Sequence, residues 1–269
     1  MSPRIQPARL RAVLWDVFGT LVVSRAAEPI ERDRPNGCSA IKAAVVAAGL
    51  PVPDQPTAER LLRRLQNAVR LSRAALRRRG EPCPEPDVRT AWRSVLRKSA
   101  PHRPPPTLAQ AECAAETWER LTNPVGPMPG AHKVLRELTR AGIVLGIASN
   151  AQFDTPDRLA ALFGDAARWE DDLCVWSWRI GAAKPSPTFY ENVLRRIAAR
   201  GWHPRDVLMV GNHPLNDIVP AQRAGLRTAW LRDPDSPSAH DANVERLGRT
   251  ADYVLHSLEE LLRVLRPGR

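Results

Sequence analysis

The sequence is short of lysine, of paired cysteines and of long apolar runs, and each shortage excludes something. No stretch reaches the roughly 18 uninterrupted apolar residues that a membrane-spanning helix needs. Cys38, Cys83, Cys113 and Cys174 stand far apart and form no C-x-x-C pair, which excludes a zinc ribbon and a disulfide framework. The N-terminal apolar run over residues 12–23 contains Asp16 and lacks a small-residue cleavage site, so no secretory leader is expected. A reducing cytoplasm is then the expected compartment. Lysine occurs only at positions 42, 98, 133 and 184, so all but four of the 40 cations are Arg. A coding sequence rich in G and C explains such an excess of Arg and Pro. A lysine at a motif position is harder to attribute to the same drift.

What is present is a chain of 269 residues, 43% hydrophobic and 26% charged, the balance of a folded protein with a buried core. Its formal net charge is +11. Residues 24–128 hold 18 basic and 11 acidic residues and carry most of that surplus.

Two patterns divide the chain. The segment 11–17 (RAVLWDV) reads as a short buried strand. Residues 24–128 then show helical periods, near 38–48, 57–79, 87–98 and 107–121, with no strand predicted. Proline-rich breaks at 51–56, 81–86 and 101–106 separate them. From Pro129 onward, strands and helices alternate. Strands are predicted at 143–148, 173–176, 206–210, 227–231 and 251–255. Helices are predicted near 130–141, 155–163, 187–199, 217–224 and 257–265. This alternation predicts an α/β fold, a Rossmann-like doubly wound parallel sheet. Residues 1–23 and 129–269 form that core, and 24–128 are a helical insertion after the first strand.

In open parallel sheets, ligands sit outside the carboxyl ends of the strands. The residues found there are Asp16-Val17-Phe18-Gly19-Thr20-Leu21, then Ser149-Asn150, then Lys184-Pro185-Ser186-Pro187, then Gly211-Asn212-His213-Pro214-Leu215-Asn216-Asp217. One carboxylate, hydroxyls, an ammonium and an amide–carboxylate pair converge on one edge. That set suits a carboxylate nucleophile attacking a centre that develops negative charge.

These four segments, in this order, resemble the four motifs of the haloacid dehalogenase-like hydrolases, and residues 24–128 fall where that family places a helical cap. The resemblance implies that Asp16 is the nucleophile, forming an aspartyl ester later hydrolysed by water. It implies that Thr20 and Ser149 bond substrate or nucleophile oxygens and that Lys184 offsets charge on Asp16. Gly19, Asn150 and Phe18 then lie against the substrate. A Mg²⁺ ion would be held by Asp16, the Phe18 backbone carbonyl, Asn212 and Asp217. The expected partner is a small anionic substrate, with neither a membrane nor nucleic acid expected, and oligomeric state is left open.

Two positions depart from the pattern. Phosphatases of the family carry a second Asp where this chain has Phe18, and Phe cannot move a proton; a positioned acid or base is worth about 10²–10⁴ in rate. Metal-using members carry Asp where this chain has Asn212, which weakens a Mg²⁺ site because Mg²⁺ prefers carboxylates. An aromatic at position 18, Ser149-Asn150, and Tyr190 six residues after Lys184 resemble the metal-free 2-haloacid dehalogenases. The fourth motif departs from that branch. The spacing from Asn212 to Asp217 keeps the metal-binding register and tilts the reading slightly to phosphate esters. Carbon–halide hydrolysis and a catalytically impaired binding protein on the same fold are the alternatives. Tyr190, Trp176 and Trp178 are also expected in the core, the two Trp on one strand face, and His213 is a second candidate base.

Overall fold

The computed structural model describes residues 10–24, 36–233 and 241–265. In chain order the elements are β1 (Ala12–Trp15), β2 (Val22–Ser24), α1 (Gly37–Ala47), α2 (Gln55–Arg78), α3 (Val88–Ser99), α4 (Leu108–Thr122) and β3 (Val125–Pro127). Then follow α5 (Ala131–Arg140), β4 (Val144–Ser149), α6 (Thr155–Phe163), β5 (Trp169–Trp176), α7 (Ser177–Ile180) and α8 (Pro187–Ala199). The chain closes with β6 (Val207–Gly211), α9 (Val219–Arg223), β7 (Arg227–Leu231), α10 (Ala242–Gly248), β8 (Tyr253–Leu255) and α11 (Glu260–Val264). Two compact units result. One comprises the chain up to Val23, Gly126–Ala151 and the chain from Thr155; the other comprises Ser24–Val125 with Gln152–Asp154.

The first unit is built on a six-stranded sheet of order β5-β4-β1-β6-β7-β8, with every neighbouring pair parallel. This is the doubly wound α/β architecture that strand and helix alternation predicts. The central strands are apolar on both faces, as a parallel sheet covered by helices requires. Ala12, Val13, Leu14 and Trp15 are all buried, as are Val207–Val210. Leu14 and Met209 share one cluster with Phe189, Tyr190 and Val193 of α8. The chain winds from β1 to β4 and β5 on one side, then returns to β6 beyond β1. The strand order therefore reverses beside β1, which marks the carboxyl ends of β1, β4 and β6 as the ligand crevice.

The second unit is helical. Its core joins Ile41 of α1, Leu65 of α2, Trp92 and Leu96 of α3, and Trp118 of α4, with the Trp92 and Trp118 rings 6.4 Å apart and tilted. The proline-rich breaks end as helix starts. Asp54 caps α2 by accepting the Thr57 N–H, with Pro56 in the first turn, and Thr107 and Gln110 form a reciprocal cap on α4. Gln152 belongs to this unit: its amide accepts the Val88 N–H at 3.2 Å and donates to Glu85 at 2.7 Å and to the Pro86 carbonyl at 3.1 Å.

Several local expectations are corrected. Residues 24–128 contain a short strand, Val125–Pro127, which pairs with Val22–Ser24 in a separate two-stranded sheet. Gly and Pro in that stretch hide the strand. The segment predicted as one helix near 217–224 opens earlier, as a π-type turn at Pro214–Ile218, before the short α9. β5 ends at Trp176, and Trp178 sits in the helical turn α7, so strand alternation does not relate the two rings. The helix α10 was not expected, because its apolar positions are few. Among the described residues no helix is long and apolar enough to cross a membrane. The four cysteines are free.

Candidate active site

The site is assembled at the carboxyl ends of β1, β4 and β6. Asp16 follows directly on β1, and its N–H donates to the Val210 carbonyl of β6 at 2.9 Å. The chain then turns tightly. The Leu21 and Val22 N–H groups both donate back to the Val17 carbonyl, and the Gly19 N–H donates to the Val22 carbonyl at 2.8 Å. Gly19 takes a φ of +82°, and a Cβ there would come within 2.3 Å of the Asn212 amide nitrogen. Glycine is needed both for the left-handed turn and for this close approach.

Asp16 is bonded through both oxygens. Oδ1 accepts from Lys184 Nζ at 2.7 Å and from Ser149 Oγ at 3.1 Å. Oδ2 accepts from Thr20 Oγ1 at 3.1 Å, and that hydroxyl also lies 3.3 Å from Asn212 Oδ1. Lys184 Nζ reaches Asp217 Oδ1 as well, at 2.6 Å. Asp217 Oδ2 accepts the His213 N–H at 2.9 Å. The structure therefore brings Asp16, Thr20, Ser149, Lys184, Asn212 and Asp217 into one cluster, and Asp16, Thr20, Ser149, Lys184 and Asp217 are all buried. Phe18 is half-buried beside them in the chain.

The cluster holds two carboxylates and one ammonium. Burial opposes the charge on Lys184, yet Asp16 and Asp217 outweigh it and hold the ammonium above its ordinary value. Burial raises the Asp217 carboxyl, and repulsion from Asp16 adds to this against the pull of Lys184.

Several residues hold this arrangement without touching Asp16. Asn150 uses both ends of its amide on the Lys184 backbone: Oδ1 accepts the Lys184 N–H at 2.7 Å and Nδ2 donates to the Lys184 carbonyl at 3.1 Å. Asn150 thus fixes the backbone of Lys184. The Tyr190 hydroxyl donates to the Asn216 carbonyl at 2.6 Å, pinning the π-type turn, while its ring packs in the sheet core. Burial, reinforced by the negative Asp217 and Asp16, raises Tyr190 well above its ordinary value, so it remains a donor. At Gly211 a Cβ would meet the Asp217 carboxyl group at 2.4 Å. The Asn216 N–H lies 3.1 Å from the His213 carbonyl and 3.3 Å from His213 Nδ1. Sequence reading missed Trp230, whose indole donates to the Asn212 carbonyl at 3.0 Å; its place in the apolar strand 227–231 gives no signal of that contact.

The donor set fits Mg²⁺ poorly. Lys184 Nζ already takes one oxygen of each carboxylate the ion would need, and Asn212 offers only a neutral amide oxygen. Among the described residues no group of three His, Cys, Asp or Glu side chains is placed to hold a metal ion.

The model of the haloacid dehalogenase-like hydrolases matches residues 10–225. The chain belongs to this family. It is 31% identical over 121 residues to a phosphoserine phosphatase of Thermus thermophilus, a stretch covering 43% of this chain and 46% of that protein. The match thus spans about half the length of that curated relative. Among solved structures it resembles a 2-haloacid dehalogenase from Pseudomonas syringae pv. tomato, with a TM-score of 0.53, 23% identity, and coverage of 95% of this chain and 98% of that one. It resembles a phosphatase of the same family from Thermococcus onnurineus to the same TM-score of 0.53, at 18% identity, over 95% of this chain and 98% of that one. At these identities the structural likeness speaks for the fold, and both chemistries occur on it.

Proposed function

We propose that this hydrolase acts through a covalent aspartyl ester on Asp16, on a small anionic substrate whose leaving group departs without a proton. The class that fits best is a 2-haloacid. The observation that carries this reading is the Lys184 bridge between Asp16 and Asp217; Phe18 and Asn212 stand in the sequence where the resemblance to metal-using phosphatases expects acids. The bridge fills the role a divalent cation would otherwise fill. Phe18 supplies no proton, and a departing halide needs none.

The steps balance as follows. Lys184 and Ser149 hold Asp16 Oδ1, which leaves Oδ2, bonded to Thr20 alone, as the attacking oxygen. Oδ2 forms a bond to the substrate carbon, and the halide leaves with the bonding pair. Water then attacks the Asp16 carboxyl carbon. Lys184 stabilises the oxyanion, and Asp217, the more basic for its raised value, takes the proton from water. Collapse breaks the bond from the carboxyl carbon to Oδ2; the departing alkoxide takes the proton of the newly attached hydroxyl and leaves as a 2-hydroxy acid, Asp16 returns to a carboxylate, and Asp217 releases its proton to solvent. The helical unit of residues 24–125 serves as a cap, and its positive charge favours an anionic substrate.

Phosphate-ester hydrolysis is the second reading, favoured by the Asn212–Asp217 spacing and by the partial match to a phosphoserine phosphatase. It needs Mg²⁺ on Asp16, the Phe18 carbonyl, Asn212 and Asp217. Assays of 2-haloacids without metal and of phosphate monoesters with Mg²⁺, on wild type and Asp16→Asn, separate the two. Halide release abolished in Asp16→Asn supports the first reading. Mg²⁺-dependent phosphate release supports the second, and no turnover in either supports a binding protein.

A further inference from the structure

The arginines of α2 carry an inference independent of the active site. Residues 60–79 contain eight Arg and no acid. The structure adds what the sequence could not show. The buried residues of α2 are Ala58, Leu61, Leu65, Gln66 and Val69, which seat one face of the helix in the core of the helical unit. Arg60, Arg63, Arg64, Arg70, Arg77 and Arg78 are all exposed. At 100° per residue they fall on the opposite face. Arg60 and Arg70 bond only the neutral oxygens of Thr57 and Asn67. Among the described residues, none of the six has a carboxylate within salt-bridge distance; the nearby Arg73 lies 3.9 Å from Glu85. At 1.5 Å of rise per residue, the row runs about 27 Å along a rigid helix.

Against the sequence-based expectation of no nucleic-acid partner, we propose that this face of α2 docks the phosphate backbone of nucleic acid, without reading its sequence. Three features select that partner. Guanidinium groups match phosphate oxygens in a bidentate fork, and a linear row suits a linear polyanion. A protein interface needs an apolar centre, and the only large apolar side chain exposed on α2 is Leu71. A membrane-surface helix must present its apolar face to lipid, and that face of α2 is buried in its own unit. α2 carries no aromatic residue on which bases could stack, which fits contact with the backbone.

The test is anisotropy of a fluorescent DNA duplex of mixed sequence, about two helical turns long, titrated with the full chain at low and moderate salt. Six phosphate contacts give a slope of log affinity against log salt of about −5. The variant Arg63→Gln/Arg70→Gln/Arg77→Gln is expected to bind more weakly and to flatten the slope by about three. The equal charge change Arg136→Gln/Arg195→Gln/Arg223→Gln, on the sheet unit, is expected to leave both unchanged. Circular dichroism confirms that each variant is folded; Gln and Arg have similar helix propensity. Absence of binding at low salt overturns the proposal. So does equal weakening by the two triple variants, which indicates bulk charge. Tighter binding to a polyglutamate peptide or to anionic phosphatidylserine vesicles than to DNA also overturns it, in favour of an acidic protein or a lipid surface.

Discussion

Lys184 Nζ lies 2.7 Å from Asp16 Oδ1, although the two residues are 168 positions apart in sequence. The ion pair is buried, and the same ammonium meets Asp217 at 2.6 Å. Buried charge is costly unless it is paired. This contact therefore fixes the geometry of the cluster, and the proposed chemistry rests on it.

Lys184→Met strands two carboxylates in a dry environment. Removing one partner of a buried pair costs about 3–5 kcal/mol, so a fall in Tm on the order of 10 °C is expected. The lysine is held above its ordinary 10.5 in the folded state. Its contribution is thus fully present below 10.5 and is lost as pH rises through the folded value. The stability gap between wild type and Lys184→Met should stay level up to about that pH and narrow above it. Denaturant melts across the alkaline range check this; a gap that widens there contradicts it.

Asn150→Ala should loosen Lys184 while leaving Asp16 in place. The chain has only four lysines, so acylation followed by mass spectrometry reads Lys184 against Lys42, Lys98 and Lys133. Lys184 is 4% exposed and should label slowest in wild type. In Asn150→Ala its labelling should accelerate while the other three remain unchanged. Turnover should fall about tenfold, as expected for losing a hydrogen bond or two, with KM little altered. Raised KM with unchanged Lys184 labelling would instead make Asn150 a substrate contact.

Asn212→Asp should create a cation site that the wild-type donor set lacks. A third carboxylate beside Thr20 and Asp16 gives Mg²⁺ the oxygen it prefers. Thermal melts with and without Mg²⁺ should shift in the variant and not in wild type; saturation at 100 times Kd is worth about 2.7 kcal/mol. A Mg²⁺-dependent shift in wild type would contradict the reading of the site as complete without metal.

Much of this was legible in the sequence. The strands that carry Asp16, Ser149 and Asn212 are short apolar runs ending in polar residues, and the parallel sheet dictates that such ends converge. The rest required coordinates. Tyr190 shows apolar periodicity on α8, which says nothing about its hydroxyl reaching the Asn216 carbonyl. Asn150 reads as a polar loop residue, and only the return of the chain 34 positions later reveals its two bonds to Lys184. The π-type turn at Pro214–Ile218 has no local signature, since its geometry comes from Asp217 being drawn to Lys184 and His213. The strand Val125–Pro127 escaped notice because Gly126 and Pro127 are poor strand formers that tertiary pairing overrides.

Isotope tracing in heavy-oxygen water reports whether Asp16 forms the bond to substrate. Turnover of a 2-haloacid is expected to place the label in the Asp16 side chain, found in its proteolytic peptide. The product of a first, single turnover is expected to contain none. A first-turnover product that carries the label, with Asp16 unlabelled, would mean that water attacks the substrate itself, and would contradict the account.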